Sequence, residues 1–350
     1  MPRCFSIAGH SIGPGAPVFI VAELSANHRG SLDEARQLIR AAADAGADAV
    51  KLQTYTADTL TIDSARQWFQ IEPGTLWSGR TLYDLYQEAY TPWDWHPELK
   101  SVAEQCGLTL FSTPFDLTAV AFLEQLALPA HKIASFELVD LPLVTAVAQT
   151  GKPLIVSTGM ADWNEIDEAV AAIRATGNEQ FALLKCTSAY PAPLAEMNLR
   201  VLPRLAERYG VPVGLSDHSP GHTAAVAAVA LGASIIEKHF TLDRRAGGPD
   251  AAFSLEPGEF RALVNAVRAT EAALGSDDII AGPAEQKSRV FRRSLFVVAD
   301  MQAGDEFTAA NVRSIRPGHG LPPKHLAAVL GRRAKHAIER GTPLAWDMIA

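Results

Sequence analysis

Short apolar runs alternate with longer amphipathic stretches over roughly the first 275 residues of the chain. The runs are Val18–Glu23, Ala49–Thr54, Thr109–Pro114, His131–Glu137, Pro153–Gly159, Phe181–Ser188, Val211–His218 and Ile235–Thr241. Between them, Leu32–Ala45, Trp93–Gln105, Thr118–Leu126, Glu165–Ala175 and Glu196–Tyr209 place apolar residues at helical spacing. Near-continuous apolar strands separated by helices are parallel strands covered on both faces. Eight such units predict an α/β fold, a closed (β/α)8 TIM barrel. An open doubly wound sheet is the competing arrangement, but no Gly-rich fingerprint follows the first strand. The preceding Phe5–Val18, with Gly13-Pro14-Gly15, reads as a hairpin that can plug the barrel floor.

Two stretches break the pattern. Tyr55 to Trp93 is too long for an ordinary connection and gathers Trp68, Trp77, Tyr83, Tyr86 and Tyr90. It is either a lid or binding loop or an added helical layer over apolar surface. A polar stretch with Gly and Pro follows the eighth unit. It divides the chain into a catalytic barrel (1–275), a linker (276–286) and a small module (287–350). Within that module Ala303-Gly304-Asp305-Glu306-Phe307 is loosely echoed by Arg340-Gly341-Thr342-Pro343-Leu344.

Composition narrows the class. With 48% hydrophobic and 20% charged residues, the chain has ample material for a core. A net charge of −8 argues against nucleic-acid or anionic-membrane partners. No apolar stretch is long enough to span a bilayer and no leader pattern is visible, so a cytoplasmic location is expected. Cys4, Cys106 and Cys186 lack metal-ligand spacing and read as free thiols.

The chemistry is expected where the strands end. Glu23; Lys51 and Gln53; Ser112 and Thr113; Lys132, Ser135 and Glu137; Ser157 and Thr158; Lys185, Thr187 and Ser188; Ser216 to His218; Glu237 and His239 all fall there. In a barrel these positions converge on the carboxyl-end face. Strand ends are often polar merely because they leave the core, but that does not explain lysines on the second, fourth and sixth strands. Buried amines need compensation, and several together imply an anionic ligand such as phosphate or carboxylate. Alternation puts Ser216 with His218 and Glu237 with His239 on shared faces, so two imidazoles end adjacent strands. With Asp217, Glu237 and Asp250 nearby they suit a divalent ion, although a lone strand-end histidine is more often a hydrogen-bonded core residue. His28 is expected to orient the first loop.

These motifs resemble the sialic acid synthase family, which condenses phosphoenolpyruvate with acylated amino sugars. The resemblance spans the chain. It is carried by Val21-Ala22-Glu23 through Asn27-His28, Lys51-Leu52-Gln53, Ser112-Thr113-Pro114-Phe115 and Lys132-Ile133-Ala134-Ser135-Phe136-Glu137. It continues through Ser157-Thr158-Gly159-Met160, Gly214-Leu215-Ser216-Asp217-His218, Glu237-Lys238-His239-Phe240-Thr241 and Gly248-Pro249-Asp250. The last sixty or so residues resemble the family's antifreeze-like (SAF) domain, with Arg316-Pro317-Gly318 at its signature. Glu23-Leu24-Ser25-Ala26-Asn27-His28, Leu76–Tyr83 with Tyr90–Trp93, and Ala251–Pro257 are most similar to the branch that makes pseudaminic acid. The neuraminate and legionaminate branches usually carry Ile-Gly where Leu24-Ser25 stands.

The resemblance implies that Lys51, Thr113, Lys132, Ser135, Lys185, Ser188 and Ser216 hold phosphoenolpyruvate. Ser188 stands where many relatives have Asn. Glu23, Glu137 and Asp250 are the implied catalytic groups, and Asn27, Tyr190, Phe253 and Arg316 the implied sugar contacts. His218 and His239 would hold a divalent metal, Mn²⁺ ahead of Mg²⁺ or Co²⁺, with Glu237 beside it. Glu137 and Glu237 can alternatively serve only to brace a lysine or histidine. The resemblance further implies a domain-swapped homodimer with Arg316 reaching the partner's sugar. Rival readings are neuraminate or legionaminate synthesis, a Schiff-base pyruvate aldolase using Lys132 or Lys185, and a non-catalytic ice-binding protein.

Overall fold

The computed structural model describes residues 3–350 and divides into two compact units between Gly275 and Ser276. In the first unit β1 (Phe5–Ile7) and β2 (His10–Ile12) form an antiparallel hairpin. Its two turn residues, Ala8 and Gly9, both have positive φ, the geometry whose twist matches paired strands. Eight parallel strands then close into a barrel. They are β3 (Phe19–Glu23), β4 (Ala49–Thr54), β5 (Thr109–Pro114), β6 (His131–Ile133), β7 (Leu154–Ser157), β8 (Phe181–Cys186), β9 (Val213–Asp217) and β10 (Ala233–His239).

Alternation divides their side chains between two apolar layers. Phe19, Val21, Phe111, Ile155, Leu184 and Ile235 fill the interior, and Ile7 and Ile12 of the hairpin join them. The hairpin thus stoppers the floor. Ile20, Val50, Leu52, Ile133, Leu183 and Ile236 face the helices instead. Helix α1 (Leu32–Ala45) shows how the outer layer is built. Its Ser31 cap accepts from Glu34 N, and left-handed Gly46 ends it. Ala35, Leu38, Ile39, Ala42 and Ala45 make one buried stripe. Leu38 is fully covered, so truncating it to alanine would cost about 2–5 kcal/mol.

The fourth strand differs from the expected His131–Glu137. β6 stops at Ile133, because turn bonds from Glu137 N to Ala134 O and Asp140 N to Glu137 O replace the ladder. Ser135 and Glu137 therefore sit on a turn. The long segment after β4 folds into α2 (Ala57–Leu60), a 3₁₀ turn at Gln67–Phe69 and α3 (Leu82–Ala89).

The second unit pairs β11 (Ser294–Val297) with β12 (Val312–Ile315) and encloses its own small core. Leu295, Val297, Phe307, Val312 and Leu344 belong to that core. Gly304 and Gly341, at the same place in the two echoed segments, are both left-handed turn residues. Among the described residues no helix is long and apolar enough to cross a membrane.

Candidate active site

Parallel registry fixes the floor of the site. His239 pairs with Glu23, Glu23 with Lys51, and Ser216 with both Glu237 and Cys186, so these inward side chains share neighbouring levels. Lys51 Nζ lies 2.7 Å from Glu23 Oε2 and 3.0 Å from Glu237 Oε1. Lys132 Nζ donates to both Glu237 oxygens at 2.8 and 2.9 Å, and Ser216 Oγ donates to Oε1 at 3.2 Å. All four charged groups are buried, Lys132 to 1% exposure.

Burial and pairing then drive the two carboxylates apart. Burial works against ionising Glu237, but Lys132 and Lys51 outweigh it and hold its carboxyl well below the ordinary range. For Glu23 burial prevails over Lys51, and its pKa is raised. Burial also lowers Lys132 to about 8 despite Glu237. Paired carboxylates with opposed shifts are the usual arrangement for dividing acid and base roles.

Hydroxyls surround this layer. Thr113 Oγ1 and Ser157 Oγ are buried with no hydrogen-bond partner, which leaves two donors for an incoming oxyanion. Gly159 brings two more together. A Cβ there would lie 2.4 Å from Ser135 Cβ and 2.6 Å from Ser188 Oγ, so only glycine permits the approach.

Lys185 is the exception. Counting from inward Leu184, it has the outward parity, and its amine donates to the Cys186 carbonyl and, at 3.4 Å, to Thr187 Oγ1. Cys186 takes the inward place. Its thiol lies 3.7 Å from Ser188 Oγ and 3.8 Å from His218 Nδ1. Burial opposes ionisation of that thiol, but His218 and the neighbouring serines outweigh it and lower it to about 7.

The two imidazoles meet as alternation predicts, with ring centroids 5.2 Å apart. His218 Nδ1 lies 3.2 Å from the Thr187 carbonyl, an orientation that leaves the other nitrogen to a ligand. His239 Nδ1 is buried without a hydrogen-bond partner and lies 3.8 Å from Asp250 Oδ2. Burial keeps His239 neutral, the form that ligates metals. Among the described residues there is no cluster of three or more His, Cys, Asp or Glu arranged around one point. Two protein nitrogens with open positions beside them nonetheless fit a metal that must also accept substrate oxygen.

Asp217 does not belong to this group. It faces outward, accepting from Lys238 Nζ at 2.8 Å and from Ser219 N at 2.8 Å, both buried. Glu237 is likewise engaged by the lysines rather than by the imidazoles.

Above the floor opens a cavity of about 450 Å³. Ser25, Gln53, Glu137, His239, Asp250, Tyr190 and Phe253 line it together with Leu60, Ile71, Trp77, Leu82 and Leu85. The Tyr190 ring stands 4.5 Å from His218 and 5.1 Å from Phe253, and Trp77 donates to the Pro249 carbonyl at 2.8 Å. Ser25 Oγ donates to Asp250, whose carboxyl is raised by burial. Burial pushes Glu137 up to about 7.

The NeuB family model matches residues 38–278, and a SAF domain model matches 292–350. The chain belongs to the NeuB family. Its relatives there include the pseudaminic acid synthase of Campylobacter jejuni, 46% identical over 93% of this chain and 95% of that one. The Helicobacter pylori pseudaminic acid synthase is 44% identical, with 95% and 98% covered. Among solved structures, the N-acetylneuraminic acid synthetase of Leptospira borgpetersenii with citrate superposes with a TM-score of 0.74. It is 32% identical and covers 82% of this chain and 95% of its own.

For this NeuB-family barrel the structure gathers Glu23, Lys51, Thr113, Lys132, Ser216, His218 and His239 at one mouth, with Ser135 and Ser188 beside Gly159. Asn27 lies outside the cavity lining. It donates to the Phe240 carbonyl and Ser254 Oγ, and so ties the first loop to the loop after β10. His28 orients that first loop as expected, bonding Gly30 N and Thr91. Arg316 lies in the second unit, just after β12. Ser157, expected among the strand-end hydroxyls but given no role, is inward like Ile155, and Cys186, expected only as a free thiol, is inward like Leu184.

Proposed function

We propose that the protein condenses phosphoenolpyruvate with 2,4-diacetamido-2,4,6-trideoxy-L-altrose and water, forming pseudaminic acid and phosphate. The observation that carries the reading is the sealed Lys51–Glu237–Lys132 layer beneath the unpartnered hydroxyls of Thr113 and Ser157. Similarity to synthases named for pseudaminic acid supports the choice of sugar.

Lys51 and Lys132, with Thr113, Ser135, Ser157, Ser188 and Ser216, hold the phosphate and carboxylate through charge-assisted bonds. Lys185 is left out because its amine faces elsewhere. His218 and His239 would hold the divalent ion, Mn²⁺ as first choice, which when bound supplies Lewis-acid polarisation of the acceptor aldehyde. The enolpyruvate methylene carbon bonds to the aldehyde carbon, whose oxygen takes a proton from Asp250, a carboxyl whose pKa burial raises. Water adds at the neighbouring carbon and gives its proton to Glu23, whose raised pKa suits a base. The C–O bond of the resulting tetrahedral centre breaks and phosphate leaves. Glu137, Tyr190 and Phe253 border the sugar, while Glu237 braces both lysines.

A homodimer belongs to this proposal. Ile62, Trp68, Leu117, Phe136 and Met160 are large apolar residues exposed on the segments that follow β4 to β7, Trp68 to 77%. Such a rim suits coverage by a second copy. Sedimentation velocity should give a dimer, and a monomer at micromolar concentration would remove that part.

The deciding assay supplies phosphoenolpyruvate, Mn²⁺ and each candidate hexose, and measures phosphate release and product mass. Turnover is expected with the diacetamido-trideoxy-altrose. Activity confined to N-acetylmannosamine would overturn the choice of sugar. Covalent lysine labelling by pyruvate and borohydride, with chelator harmless, would instead make the protein an aldolase.

A further inference from the structure

Behind the two imidazoles lies a second buried ion pair that the proposed reaction leaves unused. Leu215 and Ile236 face the helices, so Asp217 and Lys238, two residues further along each strand, do as well. Lys238 and Ser219 are fully covered, and Asp217 is 1% exposed. Lys238 Nζ donates to Asp217 Oδ2 at 2.8 Å and to the Ser219 carbonyl. The other carboxylate oxygen, Asp217 Oδ1, accepts from Ser219 N at 2.8 Å and from Ser219 Oγ at 2.6 Å. These three residues close a ring of bonds around one amine. None of them lines the cavity.

The strand registry shows what such a ring can do. β9 and β10 are paired only as far as Asp217 and Lys238, and β9 ends there. His239 still has a strand partner in Glu23 of β3, whereas His218 lies one step past the last rung. Its carbonyl accepts from Ala192 N at 3.0 Å, and on either side of it Asp217 and Ser219 are gripped by the same amine. Lys238 thus clamps the chain before and after one histidine and is the immediate neighbour of the other. A buried ion pair contributes little stability beyond an apolar pair of similar volume, because both charges lose their water. Holding two strand ends in register accounts for its placement better than stability does.

Resting on the assignment of His218 and His239 to the metal, we infer that the Lys238–Asp217 pair is a positioning device. It fixes the separation and aim of the two imidazoles and so sets the affinity for the divalent ion, touching neither ion nor substrate itself.

The test measures Mn²⁺ binding by the full chain, from loss of the free-ion EPR signal, beside the melting temperature of metal-free protein. Lys238→Met/Asp217→Asn removes both charges together, so neither stays buried and unpaired, and the amide oxygen can still accept from Ser219. Its dissociation constant for Mn²⁺ should rise about 10- to 100-fold, the usual effect of removing groups that orient metal ligands. Activity lost at limiting Mn²⁺ should return when the ion is raised. Asp217→Asn alone, the milder change, should shift the constant in the same direction and carries the test if the double variant does not fold. Leu38→Ala on α1, which weakens the same barrel, should melt lower yet keep the native constant. A constant within about twofold of native in the Lys238 and Asp217 variants, with only the melting temperature lowered, makes the pair a structural staple and overturns the inference. Native protein that takes up no Mn²⁺, or no more than His239→Ala does, removes the metal assignment itself, and this inference with it.

Discussion

Lys132→Met puts the buried charge layer to a direct test. In the native chain two amines face two carboxylates, with Lys132 bonded to both oxygens of Glu237. Methionine keeps the length of the stem and removes the charge, leaving Glu23 and Glu237 to share Lys51. Removing one partner of a buried pair costs about 3–5 kcal/mol, because the remaining charge stays desolvated. At about 2 °C per kcal/mol for a unit of this size, the barrel should melt roughly 6–10 °C lower.

The pH dependence has a definite sign. Without Lys132, both carboxyls have folded-state pKa values above those of the native chain, since Lys132 lowers each of them. A carboxyl raised in the folded state contributes stability below its unfolded pKa and loses it as pH rises through the folded value. The deficit should therefore be largest near pH 8 and shrink toward pH 5. Adding Glu237→Gln restores charge balance and should recover most of the loss, a coupling measurable by a double-mutant cycle. Thermal melts followed by tryptophan fluorescence at several pH values provide the measurement. Native-like melting of Lys132→Met at pH 8, or a deficit that grows on acidification, would refute the argument.

Further outcomes follow from the same geometry. Glu137, pushed up to about 7 by burial, should give kcat/KM a limb near pH 7 that disappears in Glu137→Gln. By the same sign rule, its folded-state contribution is present below 4.5 and lost through about 7, so Glu137→Gln should flatten the melting profile between those values. Gly159→Ala should raise the KM for phosphoenolpyruvate about ten- to hundredfold by displacing Ser135 and Ser188, with circular dichroism unchanged. Chelation should abolish activity and Mn²⁺ restore it, while His239→Ala should retain little metal on elemental analysis.

Much of the barrel is legible because each strand is apolar until its polar end, and β4 and β5 have the expected limits. The site was harder to read, for a definite reason. A strand buried on both faces does not declare which face is inward. Leu183 and Leu184 look alike in sequence, so only registry with β7 and β9 sends Cys186 inward and Lys185 outward. Asp217 follows the same rule, since its neighbours Ser216 and His218 share the opposite face. The helix Leu141–Gln149 lacks a polar stripe that would reveal its period. Trp77 and Pro249 meet across 172 residues, a contact no local pattern encodes.

The stoppered base has a kinetic consequence. With Ile7 and Ile12 wedged among the interior side chains, the barrel is a dead-end tube, and everything enters and departs by one opening. Whatever settles against the two lysines lies under any later arrival and is trapped until that arrival has gone. Such a vessel enforces a queue: with the lysines in their proposed role, the phospho-acid goes in ahead of the sugar, and initial-velocity patterns should obey a compulsory order.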